Sequence, residues 1–382
     1  MGRWTHGEGP SGRACHADPR DTLTLIGGRI TVRANFGMVN WPVDERPMVV
    51  IWEATRACQL ACRHCRASAQ RKPLPGELDT AAALGLIDQV EALHPAIFVI
   101  TGGDPLERAD LGTLVAHSHS VGLRTFLAPS ATPLLTPQAV EAAAVAGCAG
   151  FQLSLDGATA STHDRFRGIG GTFDRTVDAA RWIRERSLPL SIATTVTRDN
   201  AEELPAIAEQ VATLGAGMWS VFFLVPTGRG RRQPEVDAGR AEEILGWLLE
   251  ASHNLPFRVK TTEAPQIRRL ATRAGSPAAT AGIGDGRGFA FIAYNGDVWP
   301  SGFLPLTAGN IRGQSLAEIY RTSQLFRELR SPEALRGPHC GRCPHRAICG
   351  GSRSRAFAHT GDPLGDDPLC AFVPDGEMAA VD

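Results

Sequence analysis

The sequence predicts an α/β fold built on a parallel sheet. Three observations predict it. Six apolar runs of strand length recur between residues 48 and 225, amphipathic helical stretches separate them, and the alternation of strand and helix is unbroken. Parallel neighbours need long crossovers, which helices supply. Such a series closes part of a barrel or forms an open sheet. In either case function gathers at the C-terminal ends of the strands.

Residues 1–20 are polar and rich in Gly and Pro, the composition of a disordered tail. Residues 21–47 form a lead-in, where polar and apolar residues alternate on both sides of Gly27-Gly28 and predict a small hairpin. The core is expected over 48–255, with strands at 48–53, 96–100, 123–128, 150–155, 190–196 and 218–225. Helical patterns lie between them. Leu84, Ile87 and Val90 recur at helical spacing after the start signal Asp79-Thr80, and 137–146, 173–186, 201–214 and 238–251 read similarly. Residues 256–288 read as a linker with a mobile, glycine-rich loop. The run from Gly282 to Gly288 neither follows a strand nor opens a helix, so it is no nucleotide loop. Residues 289–382 open with a hairpin signal around Asn295-Gly296 and end with a cysteine group.

Composition excludes several classes of partner. The net charge is -1 over 382 residues, so no basic surplus suggests nucleic acid. No stretch approaches the roughly 20 apolar residues of a membrane span, and the N-terminus lacks the apolar core of a secretory signal. These features predict a cytoplasmic protein.

The nine cysteines carry most of the functional information. Cys58, Cys62 and Cys65 fall within eight residues, on the loop after the first strand. Three thiolates on one loop can hold three corners of a [4Fe-4S] cubane and leave the fourth iron open to a small molecule. A cluster that only carries electrons is normally held by four cysteines. The alternatives are a zinc site completed by His64, or an electron carrier that borrows a distant cysteine. Cys340, Cys343, Cys349 and Cys370 offer four further thiolates, which by spacing alone also suit a zinc knuckle. Cys148 reads as a small core residue and Cys15 as incidental.

At the first cysteine group the sequence resembles the radical S-adenosylmethionine (SAM) superfamily. His64 stands where the family places an aromatic residue. Thr101-Gly102-Gly103-Asp104-Pro105 is similar to the family's Gly-Gly-Glu-Pro turn, which meets the SAM amino group; the shorter Asp leaves more of that contact to backbone carbonyls. Ser154-Leu155-Asp156-Gly157 with the later Arg167 resembles the stretch that approaches the SAM carboxylate, and Leu224-Val225-Pro226 the segment against the adenine. The resemblance spans about residues 48–230 and implies a partial (β/α)6 barrel. It also implies that SAM, chelated at the open iron and reduced through a donor such as flavodoxin or ferredoxin, yields a 5′-deoxyadenosyl radical that abstracts hydrogen from a substrate.

The C-terminal cysteines resemble the SPASM region or its shortened twitch form. Ser301 and Arg353 stand where ligands of a first auxiliary cluster would be, and the four cysteines match those of the second. The resemblance therefore implies one auxiliary [4Fe-4S] cluster with full cysteine coordination. The tail, from Cys349-Gly-Gly-Ser to Asp367-Pro-Leu-Cys370, is similar to radical SAM enzymes of haem biosynthesis, which remove or oxidise carboxylate side chains.

These readings predict an oxidoreductase or lyase acting on a small or cofactor-like substrate by oxidation or decarboxylation. Lys260, Glu263, Arg229 and Arg231 are the candidate substrate contacts, because arginine forks and ammonium groups suit carboxylates. The alternatives are a ribosomal-peptide maturase, which needs a leader-binding domain that the short polar N-terminus does not supply, and a non-catalytic iron–sulfur or zinc protein.

Overall fold

The computed structural model describes residues 41–275 and 282–374, together with strands β1 (Thr24–Ile26) and β2 (Arg29–Thr31). These two pair antiparallel, Thr24 opposite Thr31 and Ile26 opposite Arg29, as the hairpin expected around Gly27-Gly28. The tail expected over 1–20, Cys15 and part of the glycine-rich loop lie outside the described residues.

The remaining strands are β3 (Val49–Glu53), β4 (Ile97–Thr101), β5 (Thr125–Leu127), β6 (Gly150–Ser154), β7 (Leu190–Val196) and β8 (Met218–Phe223), then β9 (Arg258–Thr262), β10 (Phe289–Ile292), β11 (Asp297–Trp299) and β12 (Gly309–Asn310). They form one sheet in the order β12-β11-β10-β3-β4-β5-β6-β7-β8-β9. Every pairing from β10 through β3 to β9 is parallel, and only β11 and β12 run antiparallel. The order has two ends, so the barrel is partial.

Side-chain alternation decides which face is packed. Val50, Trp52, Phe98, Ile100, Leu153, Ile192, Val196, Trp219 and Val221 point at the helices and are fully buried or nearly so. The helices return Leu86, Ile87, Val90, Leu114, Val140, Ile183, Ile207, Val211, Ile244 and Leu248 to the same core. A fully buried side chain of this kind contributes about 1.5–3 kcal/mol. The alternate residues Ile51, Val99, Gln152, Ser154, Ala193, Thr195 and Phe222 are only half buried. The inner, lumen-side face of the sheet is therefore partly accessible and partly polar.

Helix starts follow local chemistry. Asp79, Thr136, Thr159, Asp237, Ser315 and Ser352 each accept a backbone N–H of the first turn that would otherwise be unpaired. Gly168, with φ +72°, ends the helix Ala160–Arg167 in the left-handed conformation that glycine tolerates best.

Two features depart from the sequence reading. Residues 256–288, expected as linker, contain β9 and the helix Ile267–Arg273. The strand has only Val259 as an apolar residue and is a sheet edge, so it needs one packed side and shows little hydrophobic signal. The hairpin β10–β11 forms as expected, but β10 also pairs with β3, Phe291 opposite Ile51, so the central sheet continues into residues 289–310. Arg66, lying over the Phe291 ring at 4.5 Å, ties the Cys58–Cys65 loop to this added edge.

Candidate cluster and cofactor site

The loop carrying Cys58, Cys62 and Cys65 leaves β3 through Glu53, a fully buried carboxylate that pairs with Arg56 at 3.1 Å and Arg66 at 3.2 Å. Both guanidiniums belong to the loop, so its path is set by a charge that burial forces to stay paired. Backbone bonds Cys58 N to Gln70 O, 2.7 Å, and Gln70 N to Arg56 O, 2.8 Å, close the loop on itself.

Turns after three other strands grip this loop by direct backbone approach. After β4, Gly103 N donates to Thr55 O at 2.7 Å and Asp104 N to Ala57 O at 2.8 Å. A Cβ on Gly103 would stand 2.3 Å from the Ala57 carbonyl oxygen, so no larger residue fits. After β6, Arg63 N donates to Phe166 O at 3.1 Å. After β8, Arg229 N donates to Cys65 O at 2.9 Å. Gly228, at φ +54°, would place a Cβ 2.3 Å from Arg66 O.

The side chains around the thiols are specific. The Cys58 thiol lies 3.7 Å from Ser130 Oγ, and Leu60 N donates to Cys58 Sγ at 3.4 Å. Ala69 N donates to Cys65 Sγ at 3.4 Å, and Arg167 reaches Cys62 Sγ at 3.8 Å. Arg167 also pairs with Asp156, whose other oxygen accepts Thr195 N at 2.8 Å. His163 accepts Asp156 N at Nδ1, 3.0 Å. Burial, then the charge of Arg167, lowers its pKa to about 3, so the imidazole is neutral. His64 stacks on Phe166 at 4.4 Å and is held neutral by burial and by Arg167.

Burial pushes the Cys58 thiol up to about 11 and raises Cys62 as well, so these two thiols hold their protons at neutral pH. Cluster binding must expel those protons. Among the described residues no three His, Cys, Asp or Glu side chains converge on a single metal ion. A cubane instead takes each thiolate at a separate iron. The donor set fits such a cluster, and the buried, unpartnered Nδ1 of His64 and Nε of Arg167 lie beside it as polar atoms that a bound ligand could satisfy. Ser154 ends β6 on the lumen face. Leu224 and Val225 are buried at the end of β8, with Pro226 half buried after them.

Three of the candidate residues have partners within the protein. Asp104 is fully buried, accepting from Thr132 Oγ1 at 2.7 Å and Leu106 N at 3.1 Å. Its carboxylate shapes the turn. Arg229 donates to Cys62 O at 2.9 Å and Ala69 O at 3.1 Å, so it braces the cysteine loop. Glu263 accepts from Ser352 Oγ and gives its carbonyl to Arg355 at 2.8 Å, inside a joint between β9 and the C-terminal region. It holds a left-handed φ of +58°, and burial beside Asp285 raises its carboxyl well above the ordinary range. Arg231 is exposed on the turn after β8. Cys148 is buried in the core, as expected.

Sequence reasoning missed Arg355. Fully buried, it donates to Phe223 O at 3.1 Å and to Leu224 O at 3.0 Å, and pairs with Asp367 at 3.4 Å. Asp367 in turn accepts Ser352 N at 2.7 Å, Leu369 N at 3.1 Å and Gln266 Nε2 at 2.8 Å. The end of β8 is thus fastened to the segment that carries Cys370. Cys340, Cys343, Cys349 and Cys370 line one recess with Arg269, Arg346 and Phe372. Burial pushes Cys349 up to about 12 and Cys370 to about 11. Four thiols in one recess fit a fully coordinated cluster. Where a further auxiliary cluster would need ligands, Ser301 bonds Ser354 at 3.0 Å and Ser354 bonds Asp285 at 2.9 Å. Arg353 spends its donors on the carbonyls of Pro363, at 3.1 Å, and Gly365, at 2.6 Å.

Two outcomes follow from this geometry. Gly103→Ala forces the Cys58 loop off its seat, so reconstituted protein should hold about four irons per chain, against about eight for the wild type; an unchanged iron count contradicts the close-approach argument. Asp104 has a folded pKa of about 6 against 3.8 ordinarily, because burial outweighs its hydrogen bonds. A raised acid pKa favours folding below the ordinary value, and that contribution is lost as pH rises through about 6. Asp104→Asn should therefore flatten the fall in Tm between pH 4 and pH 6.5, and a variant that keeps the wild-type slope contradicts this.

The site agrees with comparisons to known proteins. Residues 52–211 match the profile of the radical SAM superfamily, and residues 285–344 match that of the SPASM iron–sulfur cluster-binding domain. The chain is 40% identical over 345 residues to an AdoMet-dependent heme synthase of Methanosarcina barkeri, covering 87% of this chain and 98% of the other. It is 29% identical over 363 residues to a pre-heme d1 synthase of Dinoroseobacter shibae, covering 87% and 88%. The crystal structure of Streptococcus suis SuiB shares the fold, with a TM-score of 0.70 at 17% identity over 86% of this chain and 78% of that one. No described helix is long and apolar enough to cross a membrane. The chain belongs to the radical SAM superfamily, in the branch that carries a SPASM domain and an auxiliary iron–sulfur cluster beside the SAM-binding one.

Proposed function

We propose that this enzyme oxidatively decarboxylates a carboxylate side chain of a tetrapyrrole. The likeness to a heme synthase along nearly the whole chain supports the substrate class. One observation supports the carboxylate. Among the described residues, Lys260 has neither a hydrogen bond nor an ion pair, and it stands on the inner face of the sheet. Lys260 is the Cα partner of Ser220, Ser220 of Ala193, and Ala193 of Ser154. Lys260 therefore shares a row with Ser154, its backbone about 14 Å away across three strand spacings. It is accessible to solvent yet walled by protein. That enclosure, and then the Arg268 guanidinium, lowers its pKa. An unpaired cation in such a place favours an anionic guest.

When bound, the two clusters supply the electron that splits SAM and a place for the electron that the substrate sheds. The side chains do the rest. Ser154 and the backbone of the Gly102-Gly103 turn face SAM, with Arg167 supplying positive charge beside Cys62. The segment Leu224-Val225-Pro226 gives an apolar wall for the adenine, fixed from behind by Arg355. Lys260 holds the substrate carboxylate. The half-buried rings of Phe222 and Phe303, 6.2 Å apart, offer apolar surface to a macrocycle. A carboxyethyl group that loses one hydrogen atom, one electron and CO2 leaves a vinyl group, so no proton donor is required. A flavodoxin or ferredoxin serves as reductant.

The test is anaerobic turnover with SAM, dithionite and an iron tetrapyrrole carrying carboxyethyl side chains. The expected result is 5′-deoxyadenosine with loss of CO2 from the macrocycle, and SAM cleavage without macrocycle change would refute the substrate class. Cys343→Ala should spare SAM cleavage and abolish the decarboxylated product; if product survives without the auxiliary cluster, that cluster is not the electron's destination. Lys260→Met removes a charged hydrogen bond of about 1.5–3 kcal/mol, so KM should rise roughly 10- to 100-fold. SAM cleavage in the absence of substrate should stay unchanged. An unaltered KM rules Lys260 out as the anchor.

A further inference from the structure

The auxiliary recess holds more than cysteines. Arg269, on the helix Ile267–Arg273, lines it and is 2% exposed. Its guanidinium lies 5.0 Å over the ring of Phe372, another residue of the recess. One terminal nitrogen donates to the Glu242 carboxylate at 2.7 Å. Its Nε–H has no partner among the described residues, although the atom is buried. An unmade hydrogen bond at a buried cation is costly and calls for an acceptor. Cys349 and Cys370 line the same recess as Arg269, so its positive charge bears on the thiols.

The neighbouring arginines are occupied otherwise. Arg268 donates to Ile348 O at 3.1 Å and Ile283 O at 2.8 Å, and Arg346 to Gly341 O at 3.3 Å. Arg353 approaches Cys340 Sγ at 3.7 Å, but its other donors hold backbone carbonyls. Arg269 combines a free buried N–H, a full charge and a single counter-ion. That counter-ion, Glu242, sits on the helix Ala238–Ala251 with 28% of its side chain exposed.

We propose that Arg269 and Glu242 together set the reduction potential of the auxiliary cluster: Arg269 raises it by charge and by the Nε–H it offers to cluster or thiolate sulfur, and Glu242 moderates it. Taking up one electron adds one negative charge to the cluster. A cation close by stabilises that reduced state, and a carboxylate close by opposes it. Arg269 is a positioning and tuning residue and touches no substrate. The inference rests on a [4Fe-4S] cluster at the four cysteines and is independent of the substrate proposed above.

The test is an EPR-monitored redox titration with dithionite. It uses the full-length chain with Cys58, Cys62 and Cys65 changed to Ala, so that only the auxiliary cluster reports. Arg269→Gln should shift the potential negative by at least a tenfold change in the reduction equilibrium, about 59 mV for one electron. Glu242→Gln should shift it positive. Arg269→Lys, which keeps the charge, should recover most of the loss. Shifts of the same sign in the Gln variants, or no shift in either, overturn the proposal, because a merely structural role gives no opposite-signed pair. Should Arg269→Gln fail to retain four irons, Glu242→Gln decides alone: a positive shift supports the proposal, and a null or negative one overturns it.

Discussion

The structure depends on backbone packed directly against backbone at the Cys58–Cys65 loop. The turn after β4 reaches it through Gly103, the turn after β8 through Gly228, and the helix after β6 through the Phe166 carbonyl. Side chains can adjust by changing rotamer, but a peptide unit seated on another peptide unit cannot. Each strand end is fixed by the sheet register, so the loop is held from three directions by the least deformable part of the fold. Preorganisation of this kind is what radical chemistry needs, since a reactive carbon must meet its target within van der Waals contact and away from water.

A second joint connects the two cysteine sites. Arg355 is buried, and its donors go to the carbonyls of Phe223, Leu224 and Glu263, while Asp367 balances its charge. Asp367 also orders the backbone at Ser352 and Leu369, one residue before Cys370. The segment expected against the adenine and the segment carrying the last cysteine are therefore fastened to one guanidinium. Breaking a buried pair by removing one partner costs about 3–5 kcal/mol, so this contact holds the two segments together.

Much of this was legible in the sequence because it is written in residue types. Buried parallel strands must be apolar, and cluster ligands must be cysteines, so both stand out without any knowledge of packing. The strand β9 did not stand out, because an edge strand of Arg, Val, Lys and Thr needs little apolar surface. That β10 pairs with β3 was not legible either, since a hairpin signal reports only its own two strands. At the site, the partners of individual side chains were not legible either. Asp104 and Arg229 are of the expected types at the expected places, but packing turned the carboxylate inward onto Thr132 and the guanidinium onto the Cys62 and Ala69 carbonyls. Arg355 and Arg269 act on groups more than 20 residues away in the chain, where no local pattern can announce them.

The account turns on an iron site at Cys58, Cys62 and Cys65 that is open to SAM. The most direct measurement is the EPR spectrum of dithionite-reduced, anaerobically reconstituted Cys343→Ala protein, with and without SAM. The account predicts a [4Fe-4S] signal whose g-values move when SAM is added, because the ligand binds the cluster itself. A signal that SAM leaves untouched, or no iron at those cysteines, would contradict it.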